Sequence, residues 1–266
     1  MDFYLDERQR KKRRRLLKFK ICGGVTIFLL LVIGAGYLIV YSSFFKIKNI
    51  EVSGNKYVSS EEIINQLKKI SVGQSKISNF LGSDNILVWK TDAQFIKNSL
   101  PQIQDLKIEK DYWHRQIKII VSEREKFGVW YKITNNQEPI TNNCWWFDKN
   151  GVIFAEALQV EGQLINKVDD FSNRHLEIGD SILGEKPLSN LIKIFAVLEK
   201  ADLGIKSLKL ERPELQEIST ESSPQIYFSL RIDPSFGLAA IESLKSTGLN
   251  KLEYIDLRVE NRAYYK

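Results

Sequence analysis

Hydrophobic and polar positions follow different patterns in successive parts of the chain, beginning with an uncharged apolar run over residues 21–45. At about 1.5 Å per residue, a helix of this length reaches roughly 37 Å, which exceeds the bilayer's hydrocarbon thickness of about 30 Å. A helix buried in a soluble protein normally keeps a polar face, and this run has none. The pattern predicts a transmembrane helix over 21–45, preceded by a tail over 1–20.

Residues 46–125 combine helix and strand patterns. Ser59 precedes Glu62 by three positions, as in a capping box, and apolar residues then recur at helical intervals up to Gly73, which predicts a helix. A second helix is predicted over 92–100 by a similar spacing. Segments in which apolar and polar residues alternate predict three strands. These strands include Ile50–Val52, Leu106–Ile108 and Ile117–Val121. The predicted order is β-α-α-β-β.

Residues 126–266 are richer in strand patterns. A turn at Asp148–Gly151 lies between two apolar segments, which predicts a hairpin. Helical spacing predicts one helix over 187–200 and another that opens at Asp233-Pro234, and strict alternation over 226–232 predicts a strand between them. The sequence therefore predicts the α+β class: one N-terminal transmembrane helix, then a β-α-α-β-β domain and a mixed, strand-rich β-domain.

The formal net charge of +6 is located entirely in the tail, which holds nine of the 39 basic and three of the 33 acidic residues. The rest of the chain is balanced, which argues against a nucleic-acid partner. A basic flank before an apolar span favours a cytoplasmic N-terminus and extracytoplasmic C-terminal domains, in a single-pass protein of the cell membrane whose partners include the lipid bilayer. A cleaved signal peptide is the alternative, but the run exceeds the usual length of about 7–15 residues and the cleavage pattern near Ser42 and Ser43 is poor.

Residues suited to catalysis are scarce. His114 and His175 are far apart in sequence, and neither has a cysteine or carboxylate at metal-ligand spacing. No nucleophile, phosphate-loop or dinucleotide motif occurs. Cys144 stands alone in the exported part, where the neighbouring tryptophans favour a core position over a nucleophile. We predict no enzymatic activity, no cofactor, no metal and no small-molecule substrate.

Two phrases resemble a known family. FKIKNIEVSGNKYVSSEEII, residues 45–64, is similar to the start of the POTRA domain that follows the single span in the FtsQ/DivIB bacterial cell-division proteins. DYWHRQIKIIVSEREKFGVW, residues 111–130, is similar to the end of that domain and the entry into the next. The positions that match the family pattern are Trp113, Ile117, Ile119, Val121, Glu123, Arg124 and Trp130. His114 and Phe127 depart from it, since proline is common at both places.

The β-domain carries two further similarities to this family. One is the spacing of Asp148, Gly151 and Phe154 across the predicted hairpin. The other is the ending LEYIDLRVENRAYYK, residues 252–266. The resemblance thus covers nearly the whole chain, with a POTRA domain over 46–125 and an FtsQ-type β-domain over 126–266.

The resemblance implies a non-enzymatic scaffold of the divisome at the division septum. Such a protein assembles with FtsB-like, FtsL-like and other divisome membrane proteins and helps control septal peptidoglycan synthesis. In the family, the C-terminal edge of the β-domain is where FtsB adds a strand, and on this chain that edge is Val259–Tyr265. The implied partner-binding residues are Arg258, Val259, Asn261, Ala263, Tyr264 and Tyr265.

Two alternatives stand beside these expectations. Asp256 and Arg258 could form a solvated pair on the strand, and the last two tyrosines could pack on a frayed terminus. The chain could also be a POTRA-bearing, membrane-anchored assembly or export factor. Such factors usually carry several POTRA units and a many-stranded barrel, which the 140 residues after this single unit do not supply.

Overall fold

A computed structural model describes residues 2–73, 75–90, 99–133, 144–158, 164–246 and 248–266, with the backbone alone for 2–16 and 250. The chain is a mixed α+β protein that divides into two compact units. The first comprises the described residues of 1–55, 59–91 and 106–121. The second comprises those of 56–58, 92–105 and 122–266.

Helix α1, Asp2–Tyr41, contains the apolar run. Its segment Leu17–Tyr41 contains an 18-residue window with a mean hydropathy of 2.3 and is long and apolar enough to cross a membrane. The helix ends four residues before the predicted bound of the span. Ser42 explains this end, because its hydroxyl accepts a hydrogen bond from the backbone N–H of Phe44 and begins a short 3₁₀ helix instead.

The first unit contains a three-stranded sheet in the order β1-β3-β2, with β1 parallel to β3. The first helix predicted for residues 46–125 is confirmed. The second predicted helix, 92–100, lies outside the described residues except for 99 and 100. The structure also has a short helix over 76–81 that was not predicted. The elements are β1 Asn49–Ser53, α2 Ser60–Gly73, α3 Lys76–Leu81, β2 Ile103–Asp111 and β3 Gln116–Glu123.

Helix α2 forms where the capping box predicted it. The Ser59 hydroxyl accepts the N–H of Glu62 at 3.1 Å, and the apolar residues at helical spacing are buried. Gly54 joins β1 to this helix with a φ of +89°, and a Cβ there would lie 2.1 Å from the carbonyl oxygen of Val121. The turn therefore requires glycine.

The second unit contains a nine-stranded sheet in the order β12-β11-β10-β9-β8-β7-β4-β5-β6. Helix α4, Glu185–Lys200, connects the adjacent parallel strands β7 and β8. Helix α5, Phe236–Lys245, connects the adjacent parallel strands β10 and β11. The elements are β4 Gly128–Lys132, β5 Cys144–Phe147, β6 Ile153–Glu156, β7 Asn166–Asp170, α4 Glu185–Lys200, β8 Ser207–Arg212, β9 Glu217–Thr220, β10 Gln225–Ser229, α5 Phe236–Lys245, β11 Tyr254–Val259 and β12 Arg262–Tyr265.

The core of the second unit lies between one face of this sheet and the two helices. Alternate strand residues such as Leu208, Ile218 and Phe228 pack there with Leu191 and Ile241 from the helices. Since side chains alternate across a strand, the intervening residues face the other side of the sheet. That second face carries charged and aromatic side chains, including Lys167, Asp169, Lys209, Tyr227 and Arg258.

Candidate partner-binding edge

The candidate site is built on the hairpin of β11 and β12. Residues 260 and 261 form its turn, and Asn261 has a φ of 57°, a conformation that asparagine tolerates better than most residues. Asp256 lies opposite Tyr264, and a register irregularity follows before Val259 pairs with Arg262. The edge strand is therefore Arg262–Tyr265, which is shorter than the edge predicted from the sequence. Val259 belongs to the neighbouring strand, because the chain reverses directly after it.

Backbone groups of β12 point away from the sheet. The Lys266 N–H donates to the carbonyl of Tyr254, so Lys266 faces β11. In an antiparallel pair, successive residues alternate between facing the partner strand and facing away. The N–H and C=O of Tyr265 therefore point outward, and the same alternation turns Ala263 outward. These groups are placed to pair with an added extended segment.

Side chains of β12 present aromatic surface on both faces of this edge. Tyr264 and Tyr265 are 48% and 57% exposed, whereas Ala263 packs against the core of the second unit. Tyr265 lies opposite the buried Ile255, on the helix-covered side, and Tyr264 lies on the other side. The hydrogen bond between the side chains of Arg262 and Tyr264 raises the pKa of the guanidinium. An added strand would meet one tyrosine on each face.

Arg258 occupies the open face of the sheet, one strand in from the edge. Its Nε and Nη2 atoms donate to the two carboxylate oxygens of Asp256 at 2.9 and 2.6 Å. Its Nη1 atom donates to Glu217 on β9 at 2.8 Å, and the guanidinium lies 5.1 Å from the ring centre of Tyr227 on β10. The side chain thus joins three strands, and contact with a partner stays a prediction for this residue.

The contacts between Arg258 and its acidic neighbours shift the pKa values of both Asp256 and Arg258. Hydrogen bonds from the Arg258 side chain hold the pKa of Asp256 below its ordinary value of 3.8, against a smaller opposing effect of burial. Asp256 and Glu217, which accept hydrogen bonds from Arg258, raise the pKa of its guanidinium. Glu217 and Tyr227 were not found by sequence reasoning, although strand alternation places both on the face that Arg258 occupies. Their register with β11 is a property of the sheet order.

The family-like hairpin residues have structural roles. Asp148 accepts backbone N–H groups from Asn150 and Val152, each at 2.9 Å, and a hydrogen bond from Nη1 of Arg124 at 2.6 Å. Both ion-pair side chains are only 5% exposed. Gly151 has a φ of +72°, and a Cβ there would lie 2.8 Å from Leu188 on α4. These residues fix the β5–β6 turn in place beside α4.

Glu123 closes a backbone loop within the same unit. Its carboxylate accepts the N–H groups of Lys56, Tyr57 and Val58 at 2.8 to 3.1 Å. Burial acts to raise the pKa of Glu123, but these backbone hydrogen bonds together lower it. Glu123 and Arg124 are adjacent in the sequence but stabilise different connections. Glu123 holds the segment 56–58, and Arg124 holds the β5–β6 turn.

Groups suited to covalent or metal chemistry are few in the part of the chain that is described. Cys144 is buried in β5, and burial raises the pKa of its thiol to about 11, so it is protonated at neutral pH. Within those same residues, no group of three His, Cys, Asp or Glu side chains could hold a metal ion. The absence of a cofactor and of enzymatic activity stays a prediction.

Comparison with protein-family models found no match, and comparison with curated proteins found none either. The FtsQ/DivIB resemblance therefore depends on the sequence phrases described above. A function of the FtsQ/DivIB type is therefore a proposal for this chain.

Proposed function

We propose that this chain is a single-pass membrane protein of the FtsQ/DivIB type that acts as a non-enzymatic scaffold in the bacterial divisome. Its tail is cytoplasmic, α1 crosses the cell membrane, and a POTRA domain over 46–125 and a β-domain over 126–266 lie outside. At the division septum it links FtsB-like and FtsL-like partners and helps control septal peptidoglycan synthesis.

The edge strand β12 carries this proposal, because no described strand pairs with its outer side. An edge strand with outward N–H and C=O groups accepts an extended partner segment by main-chain pairing, which gives affinity without a deep pocket. The backbone of Ala263 and Tyr265 supplies that pairing here. The family resemblance expects an FtsB-like segment at this edge of the β-domain.

Side chains around the edge suit strand addition. Side chains of an added strand alternate between its two faces, so they would meet Tyr264 on one side and Tyr265 on the other. Tyrosine offers a large contact area at a modest cost in conformational entropy. The irregular register between Asp256 and Val259 keeps β12 short, which limits uncontrolled pairing with other edges.

The parts of the chain follow the order that the proposed family implies. An apolar helix able to cross a membrane comes first, then a small unit with β1, α2 and a parallel β1–β3 pair, then the nine-stranded sheet that ends at β12. The basic tail supports a cytoplasmic N-terminus.

Crosslinking in the native cell tests the proposed function. A photoactivatable phenylalanine analogue replaces Tyr265 in the full chain, and the crosslinked proteins are identified by mass spectrometry. The control carries the same analogue at Lys149, an exposed position in the β5–β6 turn. We expect FtsB-like and FtsL-like proteins at Tyr265 and not at Lys149. Recovery of barrel-assembly or secretion proteins instead would favour the export alternative.

A further inference from the structure

The turn between β2 and β3 lies beside the segment that leaves α1. Because β1 is parallel to β3 with Asn49 opposite Gln116, the residues before each strand are neighbours. The Lys48 N–H donates to the carbonyl of Arg115, and Nη1 of Arg115 donates to the carbonyl of Ser43, both at 2.8 Å. The turn over 112–115 is thereby attached to the end of the apolar helix.

A loop after α3 is attached to the same helix end. The side-chain amide of Asn85 donates to the carbonyl of Ile39 at 3.0 Å. That carbonyl belongs to the last turn of α1, where backbone acceptors lack helical partners. The Ile86 N–H donates to the carbonyl of Phe45 at 2.8 Å. The loop is therefore level with the last turn of the helix.

Apolar side chains are exposed around this helix end. Trp113 is 85% exposed and its ring lies 6.2 Å from that of Phe44 in an edge-to-face arrangement. Ile77 and Phe80, both more than 70% exposed, are three residues apart on α3, so they share one face of that helix. Single exposed apolar residues are common on soluble proteins, but several of them on segments attached to the same helix end indicate an interaction surface. We call this group the collar: Phe44, Ile77, Phe80, Tyr112 and Trp113.

We propose that the collar lies in the interfacial layer of the bilayer that α1 crosses, and that it holds the first unit against the membrane. The uncharged residues 21–41 of α1 give roughly 31 Å of helix, close to the hydrocarbon thickness of about 30 Å, so the helix end at Tyr41 lies at the border of the headgroup layer. Tryptophan and tyrosine prefer that layer. This inference rests on the proposed membrane insertion of α1 and adds a second, peripheral contact to it.

The bilayer is the occupant that these contacts favour. The collar is continuous with α1 through Phe44 and through the hydrogen bond between Asn85 and Ile39, so any membrane around the helix end also meets the collar. A hydrogen bond from the N–H of His114 to Asp111 keeps the turn folded while the indole of Trp113 projects outward. If the collar instead binds a protein, Trp113 of the chain alone in bilayers would face water, and the test below would show strong quenching by acrylamide and none by bromine.

Fluorescence of the full chain in lipid bilayers tests the proposal. The emission of Trp113 is obtained as the difference between the unaltered chain and its Trp113→Phe variant. Both are reconstituted into phosphatidylcholine bilayers brominated near the headgroup or near the chain ends. We expect Trp113 to lose most of its emission with shallow bromine, to lose less with deep bromine, and to be quenched weakly by acrylamide in the water.

A second variant serves as the position control. Trp113→Phe combined with Glu61→Trp moves the indole to the first turn of α2, after β1 has led the chain away from α1, and we expect no quenching by bromine there. Equal quenching at both positions would overturn the proposal, and so would a Trp113 emission that bromine leaves unchanged while the chain floats with the vesicles. A chain that does not float with vesicles would overturn both the collar and the membrane insertion of α1.

Discussion

The two edges of the nine-stranded sheet differ in how their backbone is used. At the β6 edge, the segment 179–182 pairs with the first residue of the strand, since the N–H of Ile153 donates to Asp180 and the N–H of Gly179 donates back to Ile153. At the β12 edge, no described strand pairs with the outward N–H and C=O groups of Ala263 and Tyr265. The difference supports the proposal that a partner strand is added at the C-terminal edge.

Each edge is also supported by an arginine and an aspartate, in different surroundings. Arg124 and Asp148, beside β6, are buried, and they lock the turn that leads into that strand. Arg258 and Asp256, beside β12, are about 30% and 19% exposed. Charges that share a buried site depend strongly on each other, whereas water screens a partly exposed pair. Removing one partner of the buried pair is therefore expected to cost more stability than removing one partner of the partly exposed pair.

The largest expected effect comes from breaking the buried pair. Arg124→Leu leaves the Asp148 carboxylate buried without its cationic partner, which costs about 3–5 kcal/mol of unfolding free energy. Denaturant titration of the full chain measures this loss. Lys193→Ala, which breaks an exposed ion pair with Asp233, is the control and should change stability by about 1 kcal/mol or less. Equal effects of the two substitutions would contradict the comparison.

The turn before β6 is the next most sensitive position. Gly151→Ala places a side chain at a positive φ and against Leu188, so we expect a loss of about 1–3 kcal/mol in the same titration. Gly73→Ala, at the end of α2, is the matched control, because that glycine has an ordinary φ and no described atom within 4 Å of an added Cβ, and it should change stability by about 0.5 kcal/mol or less. If the control variant loses as much unfolding free energy as Gly151→Ala, the loss does not come from the geometry of this turn.

Backbone pairing at the open edge is tested by Ala263→Pro. Proline removes an outward N–H, so the affinity for an FtsB-like extended peptide should fall at least about tenfold, or about 1.4 kcal/mol. Ala263→Ser keeps the N–H and should bind as the unaltered chain does. Circular dichroism and the unfolding midpoint establish that both variants are folded. Retained affinity in a folded Ala263→Pro protein would place the interface elsewhere, such as the surface of the first unit.

The smallest effect is expected for the partly exposed pair. Arg258→Ala should cost about 1 kcal/mol, because the pair is screened by water. Since the folded-state pKa of Asp256 is below 3.8, its contribution is complete above that pH and is lost as the pH falls through the folded value. Stability measured from neutral pH downward should therefore show a decline below about pH 4 that is weaker in Arg258→Ala. An identical decline in both proteins would assign it to other carboxylates.

Elements with a strong local signal were predicted from the sequence alone. The apolar helix, α2 with its Ser59 cap, and the hairpin at Asp148–Gly151 depend on residues within a few positions of one another. The end of α1 was missed by four residues, because the Ser42 hydroxyl competes with the helical backbone only when the chain turns there. Helix α3 was also missed, since its six residues are too few for a helical spacing of apolar residues to repeat.

The sequence by itself determined the apolar helix, the mixed α+β class and the hairpin residues, because these follow from hydrophobic spacing and turn chemistry along the chain. Only the tertiary structure decided that β12 is an edge, that Arg124 reaches Asp148 and that Arg258 reaches Glu217, 41 residues away. It also decided that Trp113 lies beside Phe44 at the end of α1. These contacts depend on strand order and register between distant segments, which no local pattern of residues specifies.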